Sequence, residues 1–336
     1  MSGKQKKVRP IFLVALGIAL LGFGLISGIA LDLATRPTDK LPTILRPVTA
    51  APAPSAPDSV ASLEALAEVT TIRPERPTGQ PMRAWAPDVP ERAGRSDPLV
   101  AFAVPTTAQR DRPAIAIVID DMGVDRARSL RMIELKGPMT LSLMTYADNL
   151  ADLAARARRG GHEVMAHLPM EPIDPNENPG KGALRVSMDE AAIRATLAAD
   201  LDPWSGYVGI NNHMGSKFTT DRSRMNVVMT ELKARGLLWL DSKTIQGSAG
   251  TAAAQAAGVP YIERDVFIDN EQTVDAVLAQ LADAEKIARS RGTAIAIGHP
   301  HDATLEALAR WLPEADRKGI ALVPVTEVLR RRTAAP

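Results

Sequence analysis

The amino-acid sequence predicts an α/β domain organised as a (β/α) barrel of seven or eight strands, distorted from a regular ring, with an open doubly wound sheet as the second choice. Three observations carry this expectation. From Pro113 to about residue 332, apolar runs of strand length alternate with amphipathic stretches of helical length. Such alternation calls for parallel strands with helices outside them. Glycines at Gly160-Gly161, Gly236, Gly258, Gly292 and Gly319 stand just ahead of the next apolar run, where helices commonly end in a left-handed residue. Polar and ionisable residues collect where the apolar runs stop, on the face where such folds carry their chemistry.

The chain has 336 residues. Residues 1–10 are a basic flank holding Lys4, Lys6, Lys7 and Arg9, and an uncharged apolar run from Ile11 to Leu31 follows. A helix of that length rises roughly 30 Å, the thickness of a bilayer core. The positive flank then stays cytoplasmic and everything after Leu31 lies outside. The expectation is an inner-membrane anchor carrying a periplasmic domain. The alternative is a signal segment cleaved near Gly28-Ile29-Ala30, which frees the domain into the periplasm. Residues 32–112 are rich in Pro, Ala, Thr and Arg and show no apolar period. Such a composition buries no core and reads as a disordered linker, with a short helix conceivable over Ser59–Glu68. As a flexible coil it reaches roughly 50 Å and tethers the domain away from the membrane.

Formal net charge is +1, so no basic field argues for nucleic acid. There is no cysteine, which excludes disulfides and thiolate metal sites and leaves His and carboxylate to hold any metal.

Within residues 113–332 the expected strands are Ala114–Asp120, Thr140–Thr145, Glu163–His167, Tyr207–Asn212, Leu237–Leu240, Tyr261–Ile268, Thr293–Gly298 and Ile320–Val325. Helices fall between most of them. Ser187–Leu201 is expected to open on a Ser187/Glu190 capping box, and Thr273–Arg291 repeats Val274, Val277, Leu278, Leu281 and Ile287 at helical spacing. No glycine fingerprint for a dinucleotide or P-loop follows the first strand.

The strand ends hold the candidate chemistry. Asp120-Asp121 closes the first run, and two carboxylates after a buried strand are not explained by packing. Neighbours in a strand face opposite ways, so one can bind a metal while the other takes a proton; a helix cap or turn is the structural alternative. His167 closes the third strand, with Glu171 four residues on as a second possible ligand, while His162 reads as a turn residue. In the Asn211-Asn212-His213 run the amides suit hydrogen bonds to a sugar or carbonyl and His213 could complete a metal site; a turn held by Asn side chains is the alternative. Asp241-Ser242-Lys243, Arg264-Asp265, Asp269-Asn270 and His299 with His301 end further runs. Asn211, Asn212, Ser216, Asp241, Lys243 and Asp265 are the candidates for substrate contacts. Trp204, Trp239 and Tyr207 are expected in the core.

At these residues the chain resembles the polysaccharide deacetylases, and more closely their divergent branch of exported bacterial proteins, over roughly Pro113 to Arg330. The IDDMG run matches the family's Asp-Asp-Gly motif with Met122 inserted before Gly123. The resemblance implies that Asp120 is the general base and Asp121 a metal ligand. Gly161-His162-Glu163 followed by His167 matches the second motif, so His167 takes the place of the first metal His. Glu171 stands where the second metal His is usual. His299 after AIAIG fits the general acid that ends the last motif. The family's Arg-x-Pro-aromatic-Gly segment is not seen, and NNHMGSKF occupies its place. With Glu171 for His, the ligand set is Asp-His-Glu, or recruits His213, or is not competent. The resemblance implies a divalent metal, zinc by ligand type, and hydrolysis of N-acetyl groups on an amino-sugar polymer of the cell envelope, such as peptidoglycan. The alternative is a catalytically altered domain that binds glycan or an envelope protein.

Overall fold

The computed structural model describes residues 97–334. The expected flank, membrane segment, Ser59–Glu68 helix and most of the linker lie outside the described residues. Among the described residues no helix is long and apolar enough to cross a membrane.

Nine strands run in one sheet: β1 Ala114–Met122, β2 Thr140–Met144, β3 Glu163–Met170, β4 Gly209–Met214, β5 Leu238–Asp241, β6 Tyr261–Glu263, β7 Val266–Phe267, β8 Thr293–Gly298 and β9 Ala321–Leu322. The helices are α1 Pro98–Ala101, α2 Arg126–Ile133, α3 Leu150–Arg159, α4 Glu190–Leu201, α5 Arg222–Arg235, α6 Gly250–Ala257, α7 Val274–Arg291, α8 Asp302–Arg317 and α9 Val325–Thr333. The strand order is β6-β5-β4-β3-β2-β1-β8-β7, with β9 paired to β1, and every pair is parallel.

The two ends of that path lie in one chain segment. The expected strand Tyr261–Ile268 is split: β6 pairs with β5 and β7 with β8. The hand-over falls at Arg264 and Asp265, whose amides donate to Asp241 O at 3.0 Å and Ile295 O at 2.9 Å. The sheet is thus a curled, parallel one that fits a (β/α) barrel.

Strand parity sorts the core. On β1, Ile115, Ile117 and Ile119 pack with α2–α8, whereas Ala114, Ala116 and Val118 belong to a second cluster with Met165, Leu238, Leu240, Ile295 and Ile297. That second cluster fills the inside of the curl. Val325, Val328 and Leu329 of α9 join it, each such buried side chain contributing about 1.5–3 kcal/mol. Helix α9 therefore plugs the end of the barrel where the strands begin. The expected strand Ile320–Val325 shrinks to β9 because Pro324, which has no amide hydrogen to donate, opens α9 instead.

Two further expectations change. Helix α4 is capped by Asp189, whose side chain accepts from Ala192 N at 2.8 Å. Asp189 lies nearer the first helical residue than Ser187, so the Ser187/Glu190 box does not form. Residues 97–112, assigned by composition to the linker, lie against the barrel. Leu99, Phe102 and Ala108 pack on the inner cluster, and Arg158 donates to Phe102 O at 2.7 Å. Isolated apolar residues with no period hold this segment, so it carries no pattern to read.

Candidate active site

Asp120 has the inward parity of Ala114, Ala116 and Val118 and is 3% exposed. Asp121 should by parity face outward. Its φ of +55° and the register shift of β1 against β2 between Ile119 and Met122 turn it back. The two carboxylates converge instead of facing apart: His167 Nε2 lies 3.7 Å from Asp120 Oδ2 and 3.3 Å from Asp121 Oδ1. A left-handed non-glycine residue is strained, and Asp tolerates it better than most.

His167 and Asn211 are register partners on β3 and β4. Asn211 is a hub with every polar position used. Its Oδ1 accepts from Ser142 Oγ and from His167 Nδ1 at 3.0 Å, and its Nδ2 donates to Asp120 Oδ1 at 2.8 Å and Ser242 Oγ at 3.1 Å. Nδ1 of His167 thereby donates to Asn211, which leaves Nε2, aimed at Asp121, as the atom that would bind a cation. His213, two residues beyond Asn211 on the same strand face, brings Nδ1 to 2.8 Å from Asp121 Oδ1. Beyond it Met214 (φ +51°) and Gly215 (φ +84°) reverse the chain, and a side chain at 215 would strike Met170 Cβ at 2.9 Å.

Ligand atoms of Asp121, His167 and His213 lie within 4.8 Å of one another. Asp121 Oδ1 is buried and receives no well-aimed hydrogen bond, although two ring nitrogens stand within 3.3 Å of it. Three acceptors converging on one point, with a buried oxygen left without a donor, fit a divalent cation. Burial alone would raise Asp121, yet His167 and His213 outweigh it and hold its carboxyl far below the usual range. Burial dominates at Asp120 and raises it, despite the nearby His167, His299 and Asn211.

His299 follows β8 and places Nε2 4.0 Å from Asp121 Oδ2. Its Nδ1 pairs with Asp269 Oδ1 at 3.1 Å, and Asp269 Oδ2 accepts from His299 N at 2.6 Å and Thr304 Oγ1 at 2.8 Å. This approach needs Gly298, where a Cβ would sit 2.6 Å from Ile268 Cγ1 and 3.0 Å from Asp269 Oδ2. Burial pulls the imidazole down, but Asp269, with Asp120 and Asp121, pushes it up to about 9.

The structure therefore gathers Asp120, Asp121, His167, His213, Asn211 and His299. Other candidates lie elsewhere. Glu171 is not in the cluster: its carboxylate accepts from Val186 N at 2.6 Å and pairs with Lys217 Nζ at 2.8 Å, pinning the loop after β3. Asn212 faces the opposite side from Asn211, donating to Met214 O at 2.8 Å and accepting from Ser242 N at 3.0 Å. Ser216 Oγ accepts from Ile173 N at 2.9 Å. Asp241, of opposite parity to Leu240, accepts from Ser248 Oγ at 2.7 Å ahead of α6. Lys243 pairs with Glu263 at 3.3 Å. Asp265 accepts from Ile295 N at 2.8 Å and Arg332 Nη2 at 2.5 Å, bracing the split strand. Asp269, Ser142 and Ser242 carry site contacts that the sequence reading did not assign. Asp269 directly follows the expected strand Tyr261–Ile268, which was the available signal. His162 is buried, with Nε2 3.0 Å from Ile133 O, and Trp204, Trp239 and Tyr207 are buried as expected.

Comparison with known proteins follows the same residues. Over 214 residues the chain is 35% identical to the uncharacterized protein YibQ of Escherichia coli (strain K12), covering 64% of this chain and 66%, a little under two thirds, of that protein. An uncharacterized Haemophilus influenzae protein is 31% identical over 225 residues, 66% of this chain and 79% of its own length. A crystal structure of an uncharacterized protein from Agrobacterium tumefaciens C58 superposes with a TM-score of 0.67 at 30% identity, covering 69% of this chain and 94% of that one. The divergent polysaccharide deacetylase profile matches residues 117–329, which include every member of the cluster, and the chain belongs to that family.

Proposed function

We propose that the protein is a metal-dependent amide hydrolase that removes N-acetyl groups from an amino-sugar polymer of the cell envelope, with peptidoglycan as the favoured substrate. The observation that carries this reading is the Asp121–His167–His213 cluster flanked by Asp120 and by the His299–Asp269 pair. Those three residues would hold the cation, and one aspartate with two imidazoles suits zinc. A bound divalent ion supplies a Lewis acid for the amide carbonyl and acidifies a water.

The protein's own groups divide the proton work. Asp120, buried and tied through one oxygen to Asn211, accepts the proton of the attacking water. Asn211 holds His167 and Asp120 together through a single amide, so ligand and base keep a fixed relation. The C–O bond forms first by addition to the amide carbonyl, and the C–N bond of the resulting tetrahedral adduct breaks as His299 delivers its proton to the leaving amine. Asp269, hydrogen-bonded to its Nδ1, favours the protonated form that this step needs. Asp121, far below the usual carboxylate range, stays anionic throughout.

Glu171 pairs with Lys217 while His213 contributes a ring nitrogen to the cluster. The departure from the usual motif is therefore supplied from β4, which favours the hydrolase over a binding domain. The basic flank and apolar run at residues 1–31 support an inner-membrane anchor and a periplasmic domain. The test is Asp120→Asn assayed on acetylated amino-sugar oligomers with metal content measured alongside. Hydrolysis should fall about 10³-fold with the metal retained, and full activity in the variant would overturn the assignment.

A further inference from the structure

We infer that Arg264 sets the substrate class, its guanidinium receiving a carboxylate that the amino sugar carries on the ring carbon beside its acetamido group. The reaction is that of the hydrolase reading, on which this choice of substrate rests. Capture of the carboxylate by Arg264 stands without turnover.

Arg264 directly follows β6, at the strand ends that carry the metal cluster, and it is half-buried. Its Nε donates to Ser242 O at 2.7 Å and its Nη2 to Lys243 O at 2.9 Å. Its Cζ lies 5.2 Å from the centroid of the Phe267 ring, which in turn lies 5.2 Å from the ring of His299. Phe267 thus stands between the guanidinium and the proposed acid. On the other flank, the Ser242 hydroxyl accepts from Asn211, the amide that also holds Asp120. The guanidinium is therefore locked in place beside both proton-handling groups.

Its charge is not spent. Among the described residues Arg264 forms no ion pair, and its Nη1 has no partner. The carboxylates nearby are engaged elsewhere. Asp241 accepts from Ser248 Oγ at 2.7 Å and Lys243 N at 2.9 Å. Glu263 accepts from Thr251 Oγ1 at 2.6 Å and pairs with Lys243 Nζ at 3.3 Å. Asp265 pairs with Arg332 at 2.5 Å. Burial pulls the guanidinium below its usual value, and Asp120, Asp241 and Asp265 offset this only in part. A half-buried cation without a counter-ion is costly, and a planar guanidinium with unspent donors suits the two oxygens of a carboxylate. Arg264 opens on a polar cavity of about 760 Å³ that Lys243, Thr244, Gln246 and Ser248 also line, large enough for a sugar substituent.

In an N-acetylated amino sugar with an acidic ether on the neighbouring carbon, the amide and the carboxylate leave the ring side by side. With the amide at the Asp121–His167–His213 cluster and its nitrogen toward His299, the carboxylate passes Phe267 to reach Nη1. No bond forms or breaks at Arg264. A neutral amino sugar leaves the guanidinium unpaired.

The experiment compares two probes on the zinc-loaded full-length protein in detergent: the methyl glycoside of N-acetylmuramic acid and the methyl ester of its carboxyl group. Binding is read by calorimetry and hydrolysis by acetate release, for wild type, Arg264→Gln and Arg264→Lys, with thermal melts to confirm that each variant folds. Wild type should favour the acid over the ester by about tenfold or more in both readouts, as a charged hydrogen-bonded pair implies. Arg264→Gln should bring that ratio close to one, and Arg264→Lys, which keeps the charge but not the fork, should fall between. Wild type that treats acid and ester alike, or binds neither, would overturn the inference without any variant. So would Arg264→Gln that weakens both probes equally and keeps their ratio, the mark of a clamp on the Ser242 and Lys243 carbonyls. Should wild type bind the acid with the expected preference but release no acetate, the hydrolase reading fails while the role of Arg264 stands.

Discussion

Two buried carboxylates occupy opposite ends of the same barrel interior, and they are treated differently. Glu163, at the start of β3, is 0% exposed and receives Thr326 N at 3.2 Å, Thr326 Oγ1 at 2.5 Å, Val104 N at 3.3 Å and Thr140 Oγ1 at 3.4 Å. Asp120, at the far end of β1, receives Asn211 Nδ2 on one oxygen, while its other oxygen has His167 Nε2 at 3.7 Å, beyond hydrogen-bond reach. Burial is the main cause raising both groups. A carboxylate saturated with donors rivets strand, plug helix and N-terminal segment together. One left half satisfied, beside converging ligands, has an oxygen free to take a proton.

Exchanging the two separates chemistry from stability. Asp120→Asn should reduce hydrolysis about 10³-fold and leave the melting temperature within a few degrees of wild type. Glu163→Ala should do the reverse: about 3 kcal/mol lost in urea unfolding, because buried donors are stranded, with turnover per folded molecule unchanged. A large activity loss in folded Glu163→Ala would break the contrast.

A smaller effect sharpens the division of proton work. Hydrolysis needs Asp120 deprotonated and His299 protonated. The rate should therefore rise with pH through the elevated Asp120 value and fall through about 9 as His299 loses its proton. Asp269 provides the largest contact raising His299. Asp269→Asn should move the alkaline limb down by at least one pH unit, and a limb still near 9 in a pH–rate profile would assign it to another group.

Much of this was legible in the sequence because short continuous runs such as Ala114–Ile119 and Thr293–Ile297, rich in Ile and Val and bounded by breakers, read as strands buried on both faces. The residues that end them were found for the same reason. What escaped depends on facts that no spacing encodes. The turn of Asp121 into the site comes from a bulge and a left-handed φ. Asp241 and Asp265 look like Asp269 in sequence, yet strand parity and the split of Tyr261–Ile268 send the first two away from the cluster. Glu171 sits in the right place along the chain, but β3 continues to Met170 and the carboxylate meets Val186 and Lys217 instead. Residues 97–112 pack on the barrel through single apolar contacts that leave no period to detect.

The central claim is that His213, and not Glu171, completes the ligand set. It is tested most directly by metal analysis of the full-length protein purified with one equivalent of zinc, comparing wild type, His213→Ala and Glu171→Ala. The account predicts about one ion per chain in wild type and in Glu171→Ala, with affinity in His213→Ala reduced at least a hundredfold. Metal retained in His213→Ala and lost in Glu171→Ala would contradict it.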